Sequence, residues 1–496
     1  MRTLIEEVET EKTPEILVAR LATERSPILL HSALRQSGAD RFSFVSANPF
    51  ASLEARGSEC RLRQTGHETI RYGNPWHVLD QLARTYELLE ECDKPFPLGG
   101  IFGYWGYELN RALSHKLASK ALRNPETPDL AVGCYDSLCV FDHGLNKCFV
   151  VSTGMLPDGS RSACLAEEKL DWWKSQLSAR NSVDAAIRAP AQSKAKGLRS
   201  NLSRDEFESK IRRAKEYIRA GDVYQINLSQ RLELPFSGDL FQFYRSFMEI
   251  SPAPYGAYLG FHPLHIASAS PESFLRMSGR HVRTRPIKGT RPRSANPQRD
   301  AQLAFELQSS SKELAELVMI TDLLRNDLGR ICEFGSVTVP DLVRLERFPQ
   351  VQHLVSTVEG TLKSGLSHVQ AMSACFPGGS ITGTPKLRAM QIIDELEPIA
   401  RGPYTGAIGY LGFNQESHLN IAIRTAYQVG DQLYFHSGAG IVADSDPAAE
   451  YEETLAKAAG FLGTLGEPGG SSLESRSGGS AVRKPRPSVA DHERLP

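Results

Sequence analysis

Net charge, long apolar runs and metal-binding cysteine patterns are all missing from this sequence, and each absence removes a class of function. Fifty-seven Lys and Arg against 58 Asp and Glu leave a formal net charge of -1, so no global field draws the chain to nucleic acid or to an anionic membrane. No apolar stretch approaches the length needed to span a bilayer, and Met1–Lys12 is acidic without the apolar core of a secretory leader. The expectation is a cytoplasmic protein with no membrane partner. The eight cysteines form no C-x-x-C pair and have no zinc-like spacing to histidine, which predicts reduced core thiols. No 20–50-residue repeat is present, which argues against solenoids and propellers. Gly378 and Gly383 have the separation of a phosphate loop, but Thr384 stands where that motif needs lysine.

What is present divides the chain. At 496 residues a large core is assured. Residues 1–185 mix short β-like runs (Ile28–Leu30, Phe42–Ser46) with an amphipathic helix from Trp76 to Leu89, as expected of an N-terminal α+β domain. Gly99–Glu108 places glycines between aromatics, a sign of close backbone packing. Residues 186–202 read as an exposed linker, 203–465 as a catalytic domain, and 466–496 as a disordered tail too poor in apolar residues to build a core.

The catalytic part is organised around Arg283–Arg293, in which Lys288 sits among four arginines. In an extended segment Lys288 aligns with Thr284 and Thr290, while Arg283, Arg285, Arg291 and Arg293 fall opposite. A lysine enclosed near other cations gives up its proton more easily and becomes a nucleophile. Taken alone the run also reads as a basic strip for nucleic acid, a reading the net charge disfavours. Upstream, Ser270–Leu275 reads as a strand end presenting Glu272. Ser203–Glu206 predicts a capping box opening a helix, and Ile218–Arg231 a Gly-Asp turn feeding a strand that carries Gln225. Ser311–Arg330 predicts a helix with Leu314, Leu317, Val318 and Leu324 on one face and Glu313 and Glu316 elsewhere. A second helix is expected after Asp446 as cap and Pro447, with Glu450, Glu453 and Lys457 on one face. Facing carboxylates repel unless a hard cation neutralises them. Phe376–Met390 predicts a Gly-rich turn capped by Thr384 whose free amides suit a carboxylate ligand. Arg424, expected within an apolar strand, can pair with a carboxylate through both arms of its guanidinium.

Ser-Pro-Glu-x-Phe at 270–274, Pro-Ile-Lys-Gly-Thr at 286–290, and the Ala-Glu motifs at 315 and 449 resemble the chorismate-utilising enzymes, in particular their aminodeoxychorismate synthase component I branch. The resemblance is strong over 203–465 and looser before it. It implies an α+β fold of two layered antiparallel sheets with helices outside and the site between the layers. It implies Mg²⁺ on Glu316, Glu450 and Glu453, catalysis by Lys288 and Glu272, and a chorismate pocket of Ser380, Tyr404, Arg424, Gly438, His353 and Gln225. Sister enzymes that add water to chorismate carry a lysine base where Gln225 stands, and anthranilate synthases a small residue where Lys288 stands. The implied product is therefore 4-amino-4-deoxychorismate, the precursor of p-aminobenzoate and folate, with anthranilate as the alternative. Since no cysteine has the setting of a glutaminase nucleophile, ammonia is expected from a separate glutamine amidotransferase subunit. His31 replaces the glutamate of the tryptophan-sensing Leu-Leu-Glu-Ser signature, which favours a structural role for that region. A catalytically silent subunit is the reading from a different class.

Overall fold

The structure, a computed structural model, describes residues 2–33, 41–64, 66–88, 94–114, 117, 121–123, 125–179, 197–348, 351–466 and 474–475. Most of the expected linker and tail lies outside these residues. Two large sheets, of thirteen and twelve strands, dominate the described chain. Every strand pair is antiparallel except the two-residue pairing of Arg199–Ser200 with Glu474–Ser475.

Both sheets take strands from before and after residues 180–196. In the first sheet Ile28–His31 pairs with Tyr255–Gly260; in the second Gly100–Trp105 pairs with Ala407–Gly412. The inner faces meet in one core, where Phe44 of the first sheet packs edge-on to Tyr410 of the second at 5.2 Å, with Phe102 stacked behind. On the outside of the first sheet, Ala163–Ser178, Leu240–Ile250 and Pro447–Thr464 cover a second cluster in which Phe435 stacks on Phe461 at 4.5 Å. Pro75–Thr85, Ser311–Ile331 and His368–Cys375 cover the second sheet. The fold is thus the two-layered antiparallel α+β sandwich with outer helices.

Local signals explain the helix starts. Ser203 accepts from the Glu206 amide while the Glu206 carboxylate accepts from the Ser203 amide, a complete capping box ahead of Arg204–Arg219. Asp446 caps Pro447–Thr464 through the Ala449 amide, and Pro447 occupies its first turn. Other expectations are corrected. The helix expected to reach Leu89 ends at Thr85. Val318 is 39% exposed, because the buried stripe of Ser311–Ile331 runs through Leu317, Ile320, Leu324 and Leu328. Thr384 caps nothing: Lys386–Leu396 starts after Pro385 without a side-chain cap.

Candidate active site

The site forms where Gln225–Pro235 and Gln432–Ile441 of the first sheet approach Ile287–Pro292 of the second, closed by Ser311–Ile331 and Pro447–Thr464. Lys288 is delivered by a bulge. Against Val351–Thr361 the register slips between Lys288 and Thr290, so Gly289, at φ +69°, is the extra residue. A Cβ there would lie 2.7 Å from Leu307 Cδ1, which makes glycine the fitting residue. The bulge ends the simple alternation expected of Arg283–Arg293.

Lys288 Nζ donates to Glu316 Oε1 at 2.8 Å, and the Gln225 side-chain amide donates to the same oxygen at 2.8 Å. Three elements therefore converge on one carboxylate. Burial alone would lower the Lys288 ammonium, but Glu316, with Glu272 and Glu453 behind it, holds it above its ordinary value. This corrects the expectation that neighbouring arginines would strip its proton: the groups facing Lys288 are acids. Burial likewise pushes Glu316 up, but Lys288 and the Gln225 amide bring it below the ordinary carboxylate range.

Glu272 is 7% exposed, and burial raises its carboxyl, tempered by the Ser380 hydroxyl, Lys288 and Lys457. Ser380 Oγ is itself buried without a well-formed hydrogen bond, so its influence on Glu272 is one of proximity. Glu450 is raised by burial and further by Glu453; its Oε1 accepts from Ser445 at 2.6 Å while its Oε2 is buried without a partner. Glu453 pairs with Lys457 at 2.6 Å, and the same ammonium donates to the Gly438 carbonyl at 3.0 Å. Among the described residues no three His, Cys, Asp or Glu stand in a ready metal-holding group. The donors are nevertheless of the hard-oxygen type Mg²⁺ takes, and a cation would satisfy the orphaned Glu450 oxygen beside a repelling Glu453. In this structure lysines serve as the partners of Glu316 and Glu453.

The remaining positions lie beside this group. Tyr404 stacks on His436 at 5.2 Å, and a Cβ on Gly438 would lie 2.7 Å from both the Tyr404 hydroxyl and the Leu228 carbonyl. Arg424 is not within a strand; it sits between Glu416–Ile421 and Thr425–Val429 at φ +48°, a strained backbone for arginine. Its guanidinium has no ion pair within 4 Å among the described residues. It faces half-buried His353, whose imidazole burial and Arg424 hold below its ordinary value and which bonds Thr290 at 2.9 Å, two residues from Lys288. The structure thus gathers Gln225, Glu272, Lys288, Glu316, Ser380, Glu450 and Glu453, with Tyr404, Gly438, His353 and Arg424 alongside.

Two contributors escaped the sequence reading. Lys457 reaches into the acidic group from one turn after Glu453, a spacing visible in sequence but read there only as a shared face. Arg401, 1% exposed in its side chain, grips Glu397 through Nε and Nη2 at 2.8 and 2.7 Å. It also donates to the carbonyls of Asn227 and Ile381 and to the Thr405 hydroxyl, tying the Ser380 loop to Tyr404. The signal was a Glu and an Arg four residues apart in an apolar run. His31, bonded to Tyr244 at 3.2 Å and 3.1 Å from Glu15, lies on the wall of a separate inter-sheet cavity.

Comparison with known proteins places these positions in context. The sequence model of a family described as chorismate binding enzyme matches residues 30–463. Aminodeoxychorismate synthase component 1 of Klebsiella aerogenes is 39% identical over 452 residues, covering 89% of this chain and 94% of the relative. Anthranilate synthase component 1 of Synechocystis is 39% identical over 460 residues, covering 88% and 89%. Among solved structures, anthranilate synthase component I of Streptococcus pneumoniae superposes with a TM-score of 0.76 at 33% identity, covering 86% of this chain and 92% of that one. Overall identity therefore does not separate the two amino-transferring branches.

Proposed function

The chain belongs to the family of chorismate binding enzymes, and from that premise we propose that it converts chorismate and ammonia to 4-amino-4-deoxychorismate. The observation that carries this reading is the Lys288 ammonium, largely enclosed and in contact with Glu316 beside buried Glu272. A 2-amino product needs no lysine at this position.

The chemistry asks two groups to trade one proton. Lys288 must be neutral to attack ring C2, and Glu272 must be protonated to release the C4 hydroxyl as water. Burial favours the acid form of Glu272, whereas Glu316 holds Lys288 as the ammonium; once Glu316 no longer pairs with Lys288, proton transfer from the ammonium to the Glu272 carboxylate prepares both. The lysine nitrogen bonds C2 as both ring double bonds shift by one position and the C4–O bond breaks, the hydroxyl leaving as water with the Glu272 proton. Ammonia then adds at C4, both double bonds return to their places, and the C2–N bond breaks with its electron pair leaving on Lys288. Gln225, an amide rather than a base, orients the nitrogen nucleophile. Arg424 supplies charge for the enolpyruvyl carboxylate, with Tyr404, His353, Gly438 and the Ser380 loop shaping that side. Glu316, Glu450 and Glu453 would hold Mg²⁺, whose charge would offset their own carboxylates and that of the ring. Glu316 and Glu453 would then release their lysine partners. The ammonia source is a separate glutamine amidotransferase, and the pathway role is p-aminobenzoate supply in the cytoplasm.

The test is intact-protein mass spectrometry of wild type and Lys288→Ala quenched during turnover with chorismate. An adduct on wild type that vanishes in the variant supports the assignment; an adduct that persists refutes it. Anthranilate synthesis is the second reading, kept by the equal identity to that branch.

A further inference from the structure

Among the described residues, four buried polar atoms without a hydrogen-bond partner belong to the candidate site or border it: Ser380 Oγ, Glu450 Oε2, Thr384 Oγ1 and Asn227 Nδ2. Ser380 and Glu450 already have their places there; Asn227 does not. Side chains alternate along Gln225–Pro235, so Gln225, Asn227 and Ser229 share one face. Gln225 donates to Glu316 at one end of that face, and Ser229 to Glu397 at the other. Asn227 stands between them with its donor unused. Across the sheet, Gly440 is opposite Asn227 and Gly438 opposite Ser229, so no side chain directly across the strands covers the asparagine.

The fold does not call on this side chain. The Asn227 backbone amide donates to the Thr382 carbonyl at 2.8 Å, and its carbonyl accepts from Arg401 Nη2 at 2.8 Å. The carboxamide lies beside the Tyr404 phenol; burial pushes that phenol up to about 12, against the opposing pull of Arg401 and then of Asn227. A buried amide donor with no acceptor is destabilising, and leucine would fill much the same space without that penalty. The unused N–H calls for an acceptor from outside the chain.

We propose that Asn227 is a further substrate-holding residue, its Nδ2 donating to the enolpyruvyl carboxylate of chorismate on the side formed by Tyr404 and Gly438. Asn227 as a whole is partly exposed while Nδ2 is enclosed. A half-turn of the planar amide exchanges its two ends, offering Oδ1 to the Tyr404 hydroxyl and Nδ2 to the ligand. An amide nitrogen only donates, so its partner is an oxygen acceptor, and a carboxylate is the strongest one chorismate brings to this side. The inference rests on the proposed use of chorismate but not on which amino product forms.

The test is steady-state kinetics of the full chain with Mg²⁺ and an ammonium salt, following consumption of chorismate, together with thermal unfolding in the absence of substrate. Asn227→Leu should raise KM for chorismate roughly 10- to 100-fold, the loss of one hydrogen bond to a charged group, with kcat within about threefold of wild type. Without substrate it should unfold at or above the wild-type temperature, since a stranded donor is gone. Asn227→Asp, which sets a second anion against the carboxylate, should raise KM further. A KM for Asn227→Leu within about threefold of wild type, or a raised KM accompanied by unfolding well below the wild-type temperature as a structural role would give, overturns this inference alone. A wild type that consumes no chorismate overturns the proposed function together with it. If Asn227→Leu does not fold, Asn227→Asp carries the KM comparison.

Discussion

Replacing Arg401 with methionine should be among the costliest single changes in this chain. Methionine keeps much of the bulk and removes the charge. Glu397, 6% exposed, would retain only the Ser229 amide and hydroxyl at 2.8 and 2.9 Å. Removing one partner of a buried pair leaves an uncompensated charge and costs about 3–5 kcal/mol. The carbonyls of Asn227 and Ile381 lose donors as well, which keeps the expectation at the upper part of that range. In urea unfolding followed by tryptophan fluorescence, an m of about 3 kcal/mol/M converts this to a midpoint lowered by roughly 1.3–1.7 M. The double variant Arg401→Met/Glu397→Gln should recover part of the loss, because the stranded carboxylate is gone. A cost under about 1 kcal/mol, or a double variant worse than Arg401→Met, would refute the argument.

Ser203→Ala should cost about 1 kcal/mol through loss of the capping box, measured as a urea-midpoint shift. Glu272→Gln should be more stable than wild type at neutral pH. The folded carboxyl is raised, so wild type loses stability as pH rises from the ordinary carboxylate value through the folded one; the two melting curves should converge in acid. His418 behaves oppositely. The unfolded imidazole takes a proton near 6.5 and the folded one only at about 3, so stability present above 6.5 is lost as pH falls, by up to about 2 kcal/mol at pH 5. His418→Gln should flatten the stability profile between pH 6.5 and 5; an unchanged slope would show that the imidazole is not held neutral.

Much of the site was legible because local rules and spacing agreed. Ser203 and Asp446 announced their helices, and Lys288, Glu316 and Gln225 meet although they come from three separate elements. What the sequence concealed has definite causes. Arg283–Arg293 read as simply alternating, yet Gly289 is a bulge that breaks the alternation, a property of pairing with a strand about 65 residues away. The partners of Lys288 were misjudged because sequence neighbours are arginines while spatial neighbours come from a helix and a distant strand. Arg424 read as a strand residue from its apolar flanks, but the chain turns there through a positive φ. Arg401 drew no reading, because its role depends on carbonyls and a carboxylate brought together only by the fold. In each case local pattern gave the element type and tertiary contact decided the side chain's role.

The most direct measurement is product identity: purified chain with chorismate, Mg²⁺ and an ammonium salt at alkaline pH, products resolved by mass and ultraviolet spectrum. The account predicts an amino-substituted product that keeps the enolpyruvyl group. Anthranilate with an equivalent of pyruvate would contradict it.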